Sequence, residues 1–165
     1  MKKFFCLIIL VGLFNIVNDL TNKFTIQLAA SVQKEKAPEP EFIKVGETYK
    51  ITATMYNAVP GQCDADPLTT ADGSKINPNK ASEHKWIAMS RDMLKRWNGQ
   101  FDYGDYVEIV GAGDKDGVYQ IHDTMNKRYR NRIDILETKG TPLYKFNDVV
   151  ITRVVPNDEK ILASL

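Results

Sequence analysis

Apolar and polar side chains alternate most regularly from Glu47 to Tyr56, where Tyr49, Ile51, Ala53 and Met55 interleave with Thr48, Lys50, Thr52 and Thr54. A period of two with this Thr and Tyr content predicts a half-buried strand. Shorter runs predict strands at Trp86 to Met89, Asp105 to Val110, Val118 to His122, Ile133 to Leu136 and Val149 to Val155, the last stopped by Pro156. Ser90 reads as the N-cap of one short helix over residues 91–97, with Asp92 in its first turn. Gly111 to Gly117 predicts a hairpin turn. Residues 57–80, rich in Pro, Gly, Asn and Asp, predict one long irregular loop, and a loop of that length inside a domain usually carries function. Short strands with a single short helix and no βαβ alternation predict an all-β fold, a small closed barrel of six strands. No repeat recurs at a fixed period, although Gly104-Asp105-Tyr106-Val107 is echoed by Asn147-Asp148-Val149-Val150.

The ends of the chain differ from this middle. Met1-Lys2-Lys3 precedes an apolar run from Phe4 to Val17 broken only by Asn15, the order of a secretory signal. As a helix that run reaches about 21 Å, short of the ~30 Å hydrocarbon core of a bilayer. Residues 1–30 are therefore expected to be a signal peptide or an N-terminal anchor rather than a full span. Residues 31–44, with Pro38 and Pro40 among Lys and Glu, read as a solvated linker. The domain is expected over residues 45–156, followed by a C-terminal tail at 157–165. The expected location is outside the cytoplasm: periplasmic, in the cell envelope or secreted, with membrane contact only through the N-terminal segment.

Composition narrows the chemistry. In 165 residues, 43% hydrophobic and 26% charged, there is material for one domain with a real core. Twenty-two Lys and Arg against 21 Asp and Glu leave a net charge of +1, which argues against nucleic acid as a partner. Cys6, Cys63, His84 and His122 are too few for a zinc cluster or a disulfide framework, and Cys6 leaves with a cleaved signal. No metal or organic cofactor is expected, so the chemistry rests on carboxylates, hydroxyls and backbone.

Two places concentrate such groups. One is Tyr56 with the stretch from Gly61 to Gly73; the other is His122-Asp123-Thr124 followed by Asn131-Arg132-Ile133-Asp134. Paired carboxylates break glycosidic bonds when one of them stays protonated, and a neighbouring negative charge is one way to hold that proton. Spacing alone leaves a structural reading open beside this one, with Asp123 as a turn cap and Asp134 as a solvent-facing partner of Arg132. Tyr56, Tyr103 and Tyr129 are candidates for stacking on sugars or for the core.

Thr52-Ala53-Thr54-Met55-Tyr56, Pro60-Gly61-Gln62-Cys63-Asp64 with Pro67, Thr70-Ala71-Asp72-Gly73, Asp123-Thr124 and Arg132-Ile133-Asp134 stand in that order. From Ile51 to Val155 the chain thereby resembles the three-aspartate (3D) domain. That family is similar to the C-terminal part of membrane-bound lytic transglycosylase A and, more distantly, to rare lipoprotein A and expansin-like domains. The resemblance implies a six-stranded double-psi β-barrel with one short helix, acting on the glycan strands of peptidoglycan; the expected state is a monomer. It implies that Asp134 is the catalytic acid and base, with Asp123 its catalytic companion. Tyr56, Thr70, Asp72, Gly73, His122, Thr124 and Arg132 are the implied substrate-binding residues. Between the aspartates the chain carries Met125 to Asn131 in place of the family's glycine-rich run. After the Ala88-Met89 strand end it carries Ser90, with Asp92 two positions on, where the family has its remaining aspartate. The activity implied is lytic transglycosylase cleavage of the MurNAc-GlcNAc bond; the alternative is a non-catalytic wall-polysaccharide-binding or loosening module. Lys127, Arg128, Arg130 and Arg132 then read either as a solvated turn or as an attraction for the lactyl and peptide carboxylates of a wall strand.

Overall fold

The computed structural model describes residues 40–63 and 66–157, together with Thr21 and Lys23. The expected signal or anchor is otherwise outside the described residues, as are residues 31–39 of the expected linker, Asp64, and the tail beyond Asn157. Thr21 and Lys23, both helical, belong to a separate unit that ends at Glu39.

In the unit from Pro40 onward, six strands close into a barrel: β1 (Phe42–Asn57), β2 (Trp86–Met89), β3 (Tyr106–Val110), β4 (Gly117–Thr124), β5 (Arg132–Glu137) and β6 (Lys145–Pro156). Their spatial order is β1-β5-β2-β4-β3-β6. Period-two alternation makes each strand give the interior a pair of side chains: Ile51 and Ala53, Ile87 and Met89, Val107 and Ile109, Tyr119 and Ile121, Ile133 and Ile135, Val149 and Ile151. Met93, Leu94, Phe101 and Ala112 extend the same cluster. Even an eight-stranded barrel is barely wider than its own side chains. This one, with fewer strands, has no room inside for a ligand, so a binding site must lie on its outer face or rim.

The strand order makes four of the five connections cross the end of an intervening strand. β1 pairs in parallel with β5, and β2 with β4, while β2 runs antiparallel to β5. The connection from β1 to β2 must therefore step over the end of β5, and the connection from β4 to β5 over the end of β2. Exchanging β1, β2 and β3 for β4, β5 and β6 leaves every pairing unchanged, which makes the barrel double-psi. The sequence echo between Gly104 to Val107 and Asn147 to Val150 falls on β3 and β6, the strands this exchange relates.

Element boundaries move for local reasons. β1 starts at Phe42, inside the expected linker, because Phe42, Ile43 and Lys44 pair with Pro156, Val155 and Val154 and the Phe42 ring lies 5.3 Å from that of Tyr106. β6 starts at Lys145, where the polar Asn147 and Asp148 hide the pattern. The helical stretch at residues 91–97 is formed by two 3₁₀ turns, Arg91–Met93 and Lys95–Trp97, on either side of Leu94, which is extended and buried. Ser90 does not cap them; its Oγ accepts from the Arg132 backbone N–H at 3.1 Å. The long loop contains a further 3₁₀ segment, Pro78–His84, capped by the Asn77 side chain.

That segment is fixed to the end of β5 through Glu137, which is 4% exposed. Its carboxylate accepts from Ser82 Oγ at 2.5 Å, Tyr144 Oη at 2.8 Å and Lys115 Nζ at 3.0 Å. Burial by itself raises the Glu137 pKa, but these donors outweigh it and hold the group below the usual glutamate value. Removing the acceptor strands donors from three separate segments. Glu137→Ala is expected to cost about 2–4 kcal/mol in denaturant unfolding at neutral pH. Because the folded pKa is depressed, this stabilisation is present above the unfolded value of about 4.3 and is lost as pH falls through the folded value. The gap between variant and wild type should therefore narrow on acidification.

Candidate active site

Register builds the site. Thr54 on β1 pairs with Asp134 on β5, Asp134 with Ala88 on β2, and Ala88 with Asp123 on β4. With strands about 4.8 Å apart, this row sets the two aspartate backbones about 10 Å apart across the smallest side chain available with a Cβ. Ile133 and Ile135 enter the core, so Asp134 between them faces away from it. Asp123 needs a device to do the same, since it stands two residues after the inward Ile121. The register shifts between Ile87/Ile121 and Ala88/Asp123, a bulge that turns both His122 and Asp123 outward.

The loop from β1 closes over this row. Asp123 Oδ1 accepts from the N–H of Ala71 at 3.1 Å and of Thr124 at 2.8 Å, and the Tyr56 hydroxyl lies 3.3 Å from Oδ2. His122 Nδ1 meets Asp72 Oδ2 at 2.7 Å and Ser74 Oγ at 3.1 Å, while its Nε2 faces Gln120 Oε1 at 2.9 Å. Because Asp72 and Ser74 share one ring nitrogen, the group is not a nucleophilic relay, which needs them on opposite nitrogens. Trp86 packs between His122 and His84, with ring centroids 4.1 and 4.2 Å away.

Thr70 is buried and its hydroxyl donates to Asp72 Oδ1 at 2.6 Å, where the Ser74 N–H also donates at 3.0 Å. Burial raises the Asp72 pKa, and these bonds overcome it to leave the group below the ordinary value. Gly73, at φ +92°, takes the left-handed conformation that closes this turn onto the Thr70 carbonyl. Thr70, Asp72 and Gly73 thus arrive at the site together and set the Ala71 N–H on Asp123. Thr124 Oγ1 contacts the Met89 carbonyl at 3.4 Å.

Asp134 is half-buried, and burial raises its pKa; the Thr54 hydroxyl, which donates to Oδ1, and the Arg132 charge pull the other way without cancelling the rise. The cause differs from the one anticipated. The charge of Asp123 is a strand further on and already solvated by two N–H groups and the Tyr56 hydroxyl, so desolvation rather than like-charge repulsion favours the proton. Tyr56 is also buried, and burial followed by the Asp123 charge pushes its hydroxyl far above the usual phenol range. It stays a neutral donor. Its ring joins Ala88, Leu136 and Met125 in an outer apolar cluster against which Tyr129, Trp86 and Cys63 pack. Tyr103 packs on the barrel core instead.

Arg132 lies 4.9 Å over the Tyr129 ring, and Arg128 lies 4.8 Å from the same ring. Asp92 accepts from the Asn131 N–H at 3.1 Å, which ties it to the connection between β4 and β5 rather than to Asp134. Thr54 and Ala88 are the members of the row that sequence reasoning does not single out. Thr54 occupies an outward position of an alternating strand, and only the non-local register identifies its partner. No protein-family model matches the chain, and no curated protein matches it.

Two outcomes follow for unfolding experiments. Since burial raises the folded pKa of Asp134, the stability associated with its protonated form is complete below the ordinary aspartate value and is lost as pH rises through the folded value. Asp134→Asn, neutral throughout, should therefore be more stable than wild type at neutral pH, with the advantage gone near about pH 3. Asp123→Ala should cost about 1–2 kcal/mol by stranding the Ala71 and Thr124 donors, and Asp123→Asn, which keeps an acceptor, should cost less.

Proposed function

We propose that the protein is an exported peptidoglycan-cleaving enzyme, a lytic transglycosylase acting on the MurNAc-GlcNAc bond with Asp134 as general acid and base. The observation that carries this reading is Asp134 itself: an outward carboxyl on a closed barrel, bonded by Thr54, with a pKa that burial raises. The motif residues that resemble the 3D domain, from Thr54 and Tyr56 to Asp123 and Asp134, converge on that face and add support.

Protonated Asp134 gives its proton to the glycosidic oxygen as the bond from C1 to that oxygen breaks. The resulting carboxylate takes the proton of the muramyl O6 hydroxyl as O6 bonds to C1, which leaves a 1,6-anhydro sugar and consumes no water. One group that changes role is sufficient. This fits the state of Asp123, whose lone pairs are occupied by Ala71, Thr124 and Tyr56 and which holds the loop in place. Tyr56, kept neutral, donates to Asp123. The substrate is a glycan strand, and the reaction needs no metal.

A wall-binding module without catalysis is the second reading. The engagement of Thr70, Asp72 and His122 with one another favours it, because it leaves fewer free groups to grip a sugar. Incubation with purified sacculi separates the two. Wild type should release fragments lighter by one water than hydrolysis products, and Asp134→Asn should lower release about 10²-fold or more while sedimenting with sacculi as before. Equal release by both proteins removes the enzyme reading.

A further inference from the structure

Beside the strand of Asp134 runs a groove that the proton chemistry does not use. We propose that it is a subsite for the carboxylate-bearing peptide of the glycan strand, an inference that rests on the wall-glycan reading above. The groove, about 540 Å³ in volume, is walled by Arg91, Asp92, Trp97, Lys127, Tyr129 and Arg130. Its position follows from the crossing of residues 125–131 over the end of β2, which sets that connection against the 3₁₀ turns after β2. The backbone N–H groups of Asn131 and Arg132 donate to the side chains of Asp92 and Ser90, both at 3.1 Å, and join the two walls. Arg132 precedes Asp134 by two residues on the same strand face, about 7 Å along it, and stacks on the Tyr129 ring. Tyr129 thus links the wall of the groove to the strand that carries Asp134.

Its chemistry selects an anion with planar polar groups. Three cations line it against the single carboxylate of Asp92, and Lys127 and Arg130 are exposed. Each aromatic wall carries a guanidinium pair: Arg91 and Arg96 lie 5.0 and 4.8 Å from the Trp97 ring, as Arg128 and Arg132 do from Tyr129 at 4.8 and 4.9 Å. A guanidinium stacked by its face keeps its N–H edge for a carboxylate. Arg91 Nε and Asp92 Oδ1, in the first of the 3₁₀ turns, are buried without a hydrogen-bond partner. Trp97, 38% exposed, adds an apolar wall. The turn that presents it depends on Gly99, where a Cβ would stand 2.1 Å from the Met93 carbonyl carbon. Neutral sugars do not call for this excess of cations, and one short groove in a chain of net charge +1 does not track a nucleic-acid backbone.

The test is binding by the full-length protein to soluble glycan strands with stem peptides intact, or enzymatically removed and the freed lactyl carboxylates capped as neutral amides. Wild type should bind the peptide-bearing strands about tenfold more tightly at low salt, and Lys127→Glu/Arg130→Glu should erase that preference while leaving affinity for stripped strands unchanged. Trp97→Ala should weaken only the peptide-bearing complex, and Lys127→Gln/Arg130→Gln should reduce the preference without introducing repulsion. Equal wild-type affinity for the two strands, no binding to either, or an equal loss on both in the charge-reversed variant overturns the subsite. Displacement of peptide-bearing glycan by an oligonucleotide of matched charge overturns it too. A preference for peptide with no glycan release would remove the enzyme and keep the subsite; release with no preference would do the reverse.

Discussion

The structure depends on the closure of six strands around an interior just large enough for their own side chains. The paired inward residues of every strand, from Ile51 and Ala53 to Val149 and Ile151, occupy that interior. Chemistry is thereby excluded from the inside and confined to the outer face. The closing order β1-β5-β2-β4-β3-β6 also keeps consecutive strands apart at four places, all but β3 and β4, and each connection that bridges such a gap must cross the end of an intervening strand. Two of those crossings are walls of the candidate site. The connection from β1 carries Ala71, Asp72 and Ser74 to β4, and the connection from β4 carries Tyr129 and Arg130 past β2.

Polar groups on that face divide into those that hold and one that remains poised. Asp123 ties a loop N–H, a strand N–H and a buried tyrosine together. Asp72 and His122 pin the loop turn, and Glu137 clamps three segments at the opposite end of β5. In Asp72 and Glu137 the bonds outweigh burial and the carboxylate is favoured. Asp134 goes the other way: one hydroxyl and one neighbouring cation do not offset its desolvation. The contrast follows from the number of donors aimed at each carboxylate, and it sets Asp134, the proposed proton carrier, apart from its structural neighbours.

Much of the barrel is legible in the sequence because inward positions recur at every second residue, and Trp86 to Met89 falls where alternation and flanking residues place it. What alternation does not carry is pairing between distant strands. Phe42 to Lys44 look like linker until Val154 to Pro156 are set beside them, and Lys145 to Asp148 are too polar to read as a strand. Asp123 and Asp134 can be singled out as residues, yet the row through Thr54 and Ala88 depends on one parallel and one antiparallel register and on a bulge of a single residue. Without that bulge Asp123 would share the inward face of Ile121. The source of the Asp134 shift is hidden for the same reason, since burial is a tertiary fact and charge spacing suggests repulsion instead.

The central claim is that burial on the outer face, and not a neighbouring charge, gives Asp134 its affinity for a proton. Carbon-detected NMR titration of the Asp134 carboxyl, in wild type and in Asp123→Asn, measures this directly. The account predicts a midpoint above the ordinary aspartate value of about 3.9 in both proteins. A midpoint at or below that value, or a rise that disappears when Asp123 is neutralised, would contradict it.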